Sequence, residues 1–165
     1  MPRRYRRRLA KKAKYSIEQT YVNFGSSQNW TSVAGSGTIA ASLQDVVTIT
    51  DPTDLQGMRK VKHFDITFSA GSADEPVAYA LVYVPEGRDP LPLLLRGAGQ
   101  AGPLYAANQD VIACGVLDFT GGPCRIRSHL ARNLNSGDRI FLLVGTYTGI
   151  NISLIANIRY AITLQ

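Results

Sequence analysis

Residues 152–164 read ISLIANIRYAITL, and this stretch decides the fold class. Every even-numbered residue in it is apolar, and polar side chains occur only at odd-numbered positions. Successive side chains of a β-strand point to opposite faces, so this alternation predicts a strand with one buried face. Phe64, Ile66 and Phe68 alternate with polar residues in the same way and predict a second half-buried strand.

The rest of the chain continues this β pattern. Residues 77–84 (VAYALVYV) have no polar face, which predicts a central strand covered on both sides. Further strands are predicted at 39–50, 111–119, 124–131 and 139–148. Only 54–58 and 104–108 are short helix candidates. Seven or eight strands separated by Gly, Pro and Asp clusters predict an all-β protein, an antiparallel β-sandwich with the strand count of an eight-stranded jelly roll.

Length and composition limit the class of protein further. The chain has 165 residues, of which 45% are hydrophobic and 18% are charged, which is enough apolar material for one core. We therefore expect a single folded domain over residues 15–165. No run approaches the ~18 apolar residues of a membrane-spanning helix, and the start has no apolar signal segment. We expect no membrane partner.

Positive charge is concentrated at the N-terminus. Residues 1–14 contain no acid and eight basic residues, namely Arg3, Arg4, Arg6, Arg7, Arg8, Lys11, Lys12 and Lys14. Residues 15–165 then hold ten basic residues (18 less 8) against twelve acids, a net charge of −2. Like charges repel, so we expect residues 1–14 to form a disordered arm. Because each phosphate contact releases a counterion, the arm is predicted to bind nucleic acid and also to act as a nuclear localisation signal.

No residue set predicts catalysis or a cofactor. Residues 97–102 satisfy the G-x-G-x-x-G pattern, but Pro103 follows directly and a strand is predicted from Val111. A dinucleotide site needs a βαβ unit, which this spacing excludes. Cys114 and Cys124 are too few for a disulfide framework and are expected to be reduced, buried side chains. We predict that the protein is not an enzyme.

Metal binding is not expected either. His63 and His129 lie on separate predicted strands, each beside charged or polar neighbours, and we expect isolated structural or surface imidazoles rather than metal ligands. The acids at 51–54 and 74–75 are expected to be solvated loop charges, since Ca²⁺ requires six or more oxygens.

Four stretches carry a resemblance to a known family. They are RKVKHF (59–64), ALVYVPEG (80–87), LYAANQDVIACG (104–115) and SHLARNLNSGD (128–138). With the Arg-rich start, their order and spacing resemble the capsid proteins of small circular Rep-encoding single-stranded DNA viruses, the circovirus-like group. The resemblance covers most of the chain. It implies a single jelly roll whose copies close into a 60-subunit T=1 icosahedral shell.

The resemblance also implies partners and locations. The basic arm would lie inside the shell on a single-stranded DNA genome, and host nuclear import factors would recognise it. The protein would therefore be found in the virion and in the host cell nucleus. Phosphate contacts do not distinguish DNA from RNA, so recombinant particles could hold RNA.

Arg59, Lys60 and Lys62 form the most compact basic cluster of the body. They match a basic segment leading into a strand in the circovirus-like group, which implies that they extend the genome-facing surface. The other interpretation places them at subunit interfaces or on the outer surface.

A second class of protein stays open, a non-viral architectural or ribosomal-type protein that binds nucleic acid through a basic tail. Such a protein would be a monomer or small oligomer, with basic residues spread across its folded body.

Overall fold

The computed structural model describes residues 15–24, 31–33, 39–48, 58–71, 76–89, 110–146 and 153–163. These ranges contain ten β-strands and no helix. The strands are β1 (Tyr15–Phe24), β2 (Thr31–Val33), β3 (Ile39–Thr48), β4 (Arg59–Ala70), β5 (Val77–Val84), β6 (Asp110–Leu117), β7 (Cys124–Ser128), β8 (Arg132–Leu134), β9 (Arg139–Thr146) and β10 (Leu154–Thr163). Several predicted features lie outside the described residues. They are the basic arm, the acids at 51–54 and 74–75, residues 97–102, and both helix candidates except for Met58.

The strands form two antiparallel sheets. The first sheet has the order β1-β10-β4-β7, with β8 paired to β4 beyond the end of β7. The second sheet has the order β2-β3-β9-β5-β6. The predicted all-β class and antiparallel sandwich are confirmed. Eight of the strands are long, whereas β2 and β8 have three residues each.

The core lies between the inner faces of the two sheets. In β10 the even-numbered residues from Leu154 to Ile162 are all buried, which confirms the alternation read from the sequence. Phe64, Ile66 and Phe68 of β4 are buried beside them, at 0–1% exposure. Burying a side chain of this size contributes roughly 1.5–3 kcal/mol, so this face anchors the first sheet.

Strand β5 is the central strand that its sequence predicts. It pairs with β9 on one side and β6 on the other, and seven of its eight residues are buried. Val77, Tyr79 and Leu81 face the core between the sheets. A second apolar cluster on the other face of this sheet comprises Ala78, Ala80, Val82, Val84, Phe141 and Leu143. Both faces of β5 are therefore covered.

Two strand ends differ from the sequence prediction. The strand predicted to end at residue 131 stops at Ser128, because the chain leaves β4 there and rejoins it at Arg132 as β8. The strand predicted to reach residue 119 stops at Leu117. Asp118 instead accepts hydrogen bonds from the backbone N–H and hydroxyl of Thr120, which begins a turn.

A buried acid ties two turns together at one end of the sandwich. The carboxylate of Asp138 is 4% exposed and accepts hydrogen bonds from the Tyr83 hydroxyl (2.9 Å), the Glu86 N–H (3.1 Å) and the Asn135 N–H (2.8 Å). Burial and the bond to Asp138 raise the pKa of Tyr83 to about 12, so its hydroxyl stays a donor. Gly137, beside Asp138, has φ +83°, which a residue with a side chain rarely adopts.

The cysteine expectation holds in part. Both thiols are free, as predicted. Cys114 is exposed on β6, so the prediction that it is buried was wrong. It lies opposite Ala80 of β5, and β6 is an edge strand of the second sheet in the part of the chain that the structure describes. Cys124 is half-buried, and its Sγ donates to the carbonyl of Asp118 at 2.9 Å.

Candidate nucleic-acid interface

The outward face of the first sheet gathers basic side chains from three strands. Residues on β10, β4 and β7 that alternate with buried ones point away from the core, and several of them are lysine or arginine. We call this surface the basic face, and its members are Lys60, Lys62, Arg125, Arg127 and Arg159. Such a concentration of cations is the electrostatic footprint of a phosphate-binding surface.

One acid, Asp65, lies at the centre of the basic face. In the sheet register it is directly opposite Arg159 on β10 and Arg127 on β7. Arg125 binds it through two atoms, with Nε to Oδ1 at 2.7 Å and Nη2 to Oδ2 at 2.5 Å. Arg159 Nη2 lies 3.3 Å and Arg127 Nε 3.7 Å from Oδ2. Asp65 therefore holds three guanidinium groups around a single point.

The electrostatics of this cluster leave the arginines available to other anions. The hydrogen bond from Arg125, assisted by the charges of all three arginines, lowers the pKa of Asp65 to about 2. Asp65 is thus ionised under ordinary conditions, while its side chain is only 17% exposed. The side chains of Arg125, Arg127 and Arg159 are 48–60% exposed. One carboxylate cannot satisfy three guanidinium groups, which have five N–H donors each, so donors remain for phosphate oxygens.

The basic arm joins the chain at this same face. Tyr15, the first residue of β1, follows the arm directly and lies opposite Thr163 at the end of β10. The ammonium group of Lys62 lies 3.8 Å from the centre of the Tyr15 ring, a cation–π contact. The N–H of Lys60 donates to the Thr163 hydroxyl at 2.9 Å. The chain therefore passes from the arm straight onto the basic face.

The residues predicted from the sequence to bind nucleic acid do not all lie on the basic face. The eight basic residues of the arm lie outside the described residues. Lys60 and Lys62 lie together on the basic face. Arg59 lies on the opposite side of β4, in register with the buried Leu134, and its Nε is buried without a hydrogen-bond partner in the described part of the chain. The sequence triplet thus divides between the two faces of the sheet.

The sequence did not single out Arg125, Arg127 and Arg159 as site residues. Local patterns nevertheless indicate that each side chain faces outward, since Arg125 and Arg127 flank Ile126 and Arg159 occupies an odd position of the 152–164 alternation. Their meeting depends on which strands pair and in which register, and local sequence does not contain that information.

The two histidines also come together, and the expectation that they are isolated was wrong. His63 Nδ1 lies 3.4 Å from His129 Nδ1, and the ring centres are 5.7 Å apart with the ring planes at 76°. A β-bulge in β4 at His63 and the break between β7 and β8 at His129 place them side by side. In the described ranges no group of three or more His, Cys, Asp or Glu residues could hold a metal ion.

Comparison with known proteins adds no family to these observations. The chain matches no protein-family model, and a search of curated proteins gives no match. None of the described residues belong to a helix that is long and apolar enough to cross a membrane.

Proposed function

We propose that the protein is a capsid subunit that self-assembles into a T=1 icosahedral shell and packages single-stranded DNA through its basic arm. The strand arrangement supports a jelly-roll fold. Among the described strands, eight of five to twelve residues lie in two sheets, β1-β10-β4-β7 and β3-β9-β5-β6, and the first of them pairs with the last. Two antiparallel sheets of four strands with such crossing connections are the jelly-roll arrangement, which builds many viral shells.

Surface features support self-association. In the described strand orders the first sheet ends in β1 and β7 and the second in β2 and β6, and edge strands offer unpaired backbone groups to another chain. Val116 on β6 is 53% exposed, and Met58 and Leu130 are exposed to a similar degree. In the proposed shell, contacts between copies would cover these side chains. Repeated around symmetry axes, such contacts close a shell.

The single observation that carries the proposal is the continuity of charge. An arm with eight basic residues and no acid runs directly into the edge strand of the sheet that bears the basic face. In a closed shell every copy would direct its arm and its basic face to the same side. Many weak phosphate contacts would then act together, so that packaging and assembly stabilise each other. Host import factors would recognise the same arm and carry the subunit into the nucleus before assembly.

One observation favours the second class, a non-viral nucleic-acid-binding protein with a basic tail. Although residues 15–165 have a net charge of −2, the basic face carries five cations and a single acid, which would let the folded body bind nucleic acid without a shell. The two classes differ in assembly. A capsid subunit forms closed particles of uniform size, whereas the alternative stays a monomer or small oligomer at every salt concentration and pH.

The test compares the full chain with two variants, one lacking residues 1–14 and one in which the eight basic residues of the arm are glutamine. The second variant separates the charge of the arm from its length. Electron microscopy records particles, circular dichroism records the β-sheet content, and the ratio of absorbance at 260 and 280 nm records nucleic acid. We expect closed particles with nucleic acid from the full chain, and folded protein without nucleic acid from both variants. A full chain that never assembles contradicts the capsid proposal.

A further inference from the structure

A pocket of about 430 Å³ opens on the basic face beside the two histidines. Strand β4 pairs with β8 up to Val61 and with β7 from Phe64, so the ladder on that side is interrupted between them. The link between β7 and β8 passes this gap and carries His129. The pocket lies in the size range of about 300–1,000 Å³ that is typical of small-ligand sites.

The backbone at this pocket is unusual. His63 has φ +58°, the one non-glycine residue with positive φ among those described. It forms the bulge that shifts the register between β4 and β10 from Asp65–Arg159 to Lys62–Ala161. Left-handed residues and bulges inside strands are uncommon and concentrate where a side chain is redirected toward a ligand.

His129 is held in place from the other side. Its neighbour Ser128 donates a hydrogen bond from Oγ to the carbonyl of Ile112 (3.1 Å) and accepts one from the N–H of Leu130 (3.3 Å). The turn that presents the imidazole is therefore tied to β6. Both histidines lie at fixed positions, and their Nδ1 atoms are 3.4 Å apart.

The pocket is lined by apolar side chains on one part and by polar or charged side chains on another. Ile17 and Ala161 contribute an apolar wall, whereas Arg127, Arg159 and the two imidazoles contribute a polar rim. The positive charges of the guanidinium groups would repel a metal cation between the histidines. Asp65, the acid in the lining, is already bound by arginine. An anion with an attached flat apolar group fits both walls.

We propose that this pocket binds one nucleotide of a single-stranded nucleic acid, with the base against the apolar wall and the phosphate at His63, His129 and Arg127. The inference rests on the nucleic-acid binding proposed above and assigns it a specific subsite on the folded body. The strand is single because a base inside a duplex is stacked and paired and cannot enter a pocket.

Hydrogen-bond donors at this subsite favour a phosphodiester. The imidazoles of His63 and His129 and the guanidinium groups of Arg127 and Arg159 can donate N–H groups to phosphate oxygens. The other charged group that faces the pocket is Asp65, which arginine already binds, with Lys62 next along β4.

Calorimetric titration of the full chain with thymidylyl-thymidine tests the subsite. This probe has one phosphodiester, which carries a single negative charge. Thymidine is the probe without phosphate, and dimethyl phosphate is the probe without a base. We expect one site per chain and binding of the dinucleotide at least about tenfold tighter than either fragment.

Variants distinguish the pocket from general charge. His63→Asn combined with His129→Asn should weaken binding of the dinucleotide, and asparagine tolerates the positive φ at residue 63. Arg127→Gln, at an exposed position, should weaken binding about tenfold, whereas the control Arg88→Gln outside the basic face should not. Thermal melts of each variant check that it is folded. Equal binding by wild type and the folded histidine variant overturns the proposal, as does equal affinity for dimethyl phosphate and the dinucleotide.

Particle assembly separates this inference from the proposed function. The histidine variant should still form particles that contain nucleic acid, because the arm is intact. Particles with nucleic acid but no dinucleotide binding by the wild type would refute the subsite alone. Absence of any nucleic-acid binding by the full chain would refute the proposed function with it.

Discussion

Asp65→Asn is the substitution that most directly tests the electrostatics of the basic face. It removes the carboxylate that holds three arginines and leaves a side chain of nearly the same shape. Because the change also removes the one acid among the described residues of this face, stability and nucleic-acid affinity should move in opposite directions. The free energy of unfolding should fall, while binding to single-stranded DNA should become tighter.

The size of the stability loss follows from the pKa of Asp65. Lowering the pKa from 3.8 to about 2 corresponds to at most about 2.4 kcal/mol. Arg125 is 48% exposed, so solvent screens the pair, and we expect a loss of about 1 kcal/mol at pH 7. The folded-state pKa is depressed, so this stabilisation is fully present above the unfolded value of 3.8. It is lost as the pH falls through about 2.

Urea denaturation at fixed protein concentration, measured at pH 7 and at steps from pH 5 to pH 2.5, provides the assay. The difference between wild type and Asp65→Asn should be constant down to about pH 4.5 and then shrink. Asp89→Asn, at an exposed acid outside the strands, is the matched control and should show no difference. Equal stability at pH 7, or a difference that stays unchanged down to pH 2.5, would refute the role given to Asp65.

Three further substitutions test other parts of the account. Lys60→Gln with Lys62→Gln should weaken single-stranded DNA binding and reduce the slope of log affinity against log salt by about 1.4, the value for two lost phosphate contacts. Asp138→Ala should lower the free energy of unfolding by about 2–3 kcal/mol, since it leaves buried donors without an acceptor. Gly137→Ala should destabilise by about 1 kcal/mol or more because its φ is +83° and a Cβ would lie 2.5 Å from the Glu86 side chain. Gly121→Ala, with open space at its Cβ position, should change stability by less than about 0.5 kcal/mol.

Each of these predictions would be contradicted by a specific result. An unchanged salt slope in fluorescence anisotropy would mean that the two lysines do not contact phosphate. A loss below about 0.5 kcal/mol on denaturation of Asp138→Ala would mean that the buried network does not hold the turns. Equal stability of the two glycine variants would remove the argument from backbone conformation.

The strands of the core could be predicted from sequence because their signal is local. The alternation around Ile158 and the unbroken apolar run of β5 each record which faces are covered, and burial follows that pattern residue by residue. The short strand β8 gave no such signal, since three residues are too few to show a period. The strand β8 forms because β4 is longer than β7, so that the residues of β4 beyond the end of β7 can hydrogen-bond to another strand.

The candidate interface was less predictable because it depends on pairing between distant strands. Asp65, Arg127 and Arg159 are separated by 62 and 32 residues along the chain and meet only because the register of β4 places them opposite one another. The contact between His63 and His129 additionally requires a bulge, which no local pattern around His63 indicates. Lys60 and Lys62 were predicted because, with Arg59, they form a basic cluster that is local in the sequence, but the cluster alone did not show that Arg59 lies on the opposite face of β4.

The measurement that tests the central claim most directly is an electron cryo-microscopy reconstruction of particles assembled from the full chain. The account predicts a closed shell in which the first sheet turns its basic face inward. Density for nucleic acid should lie against Lys62, Arg127 and Arg159. A shell with that face on its outer surface, or with its nucleic acid away from these side chains, would contradict it.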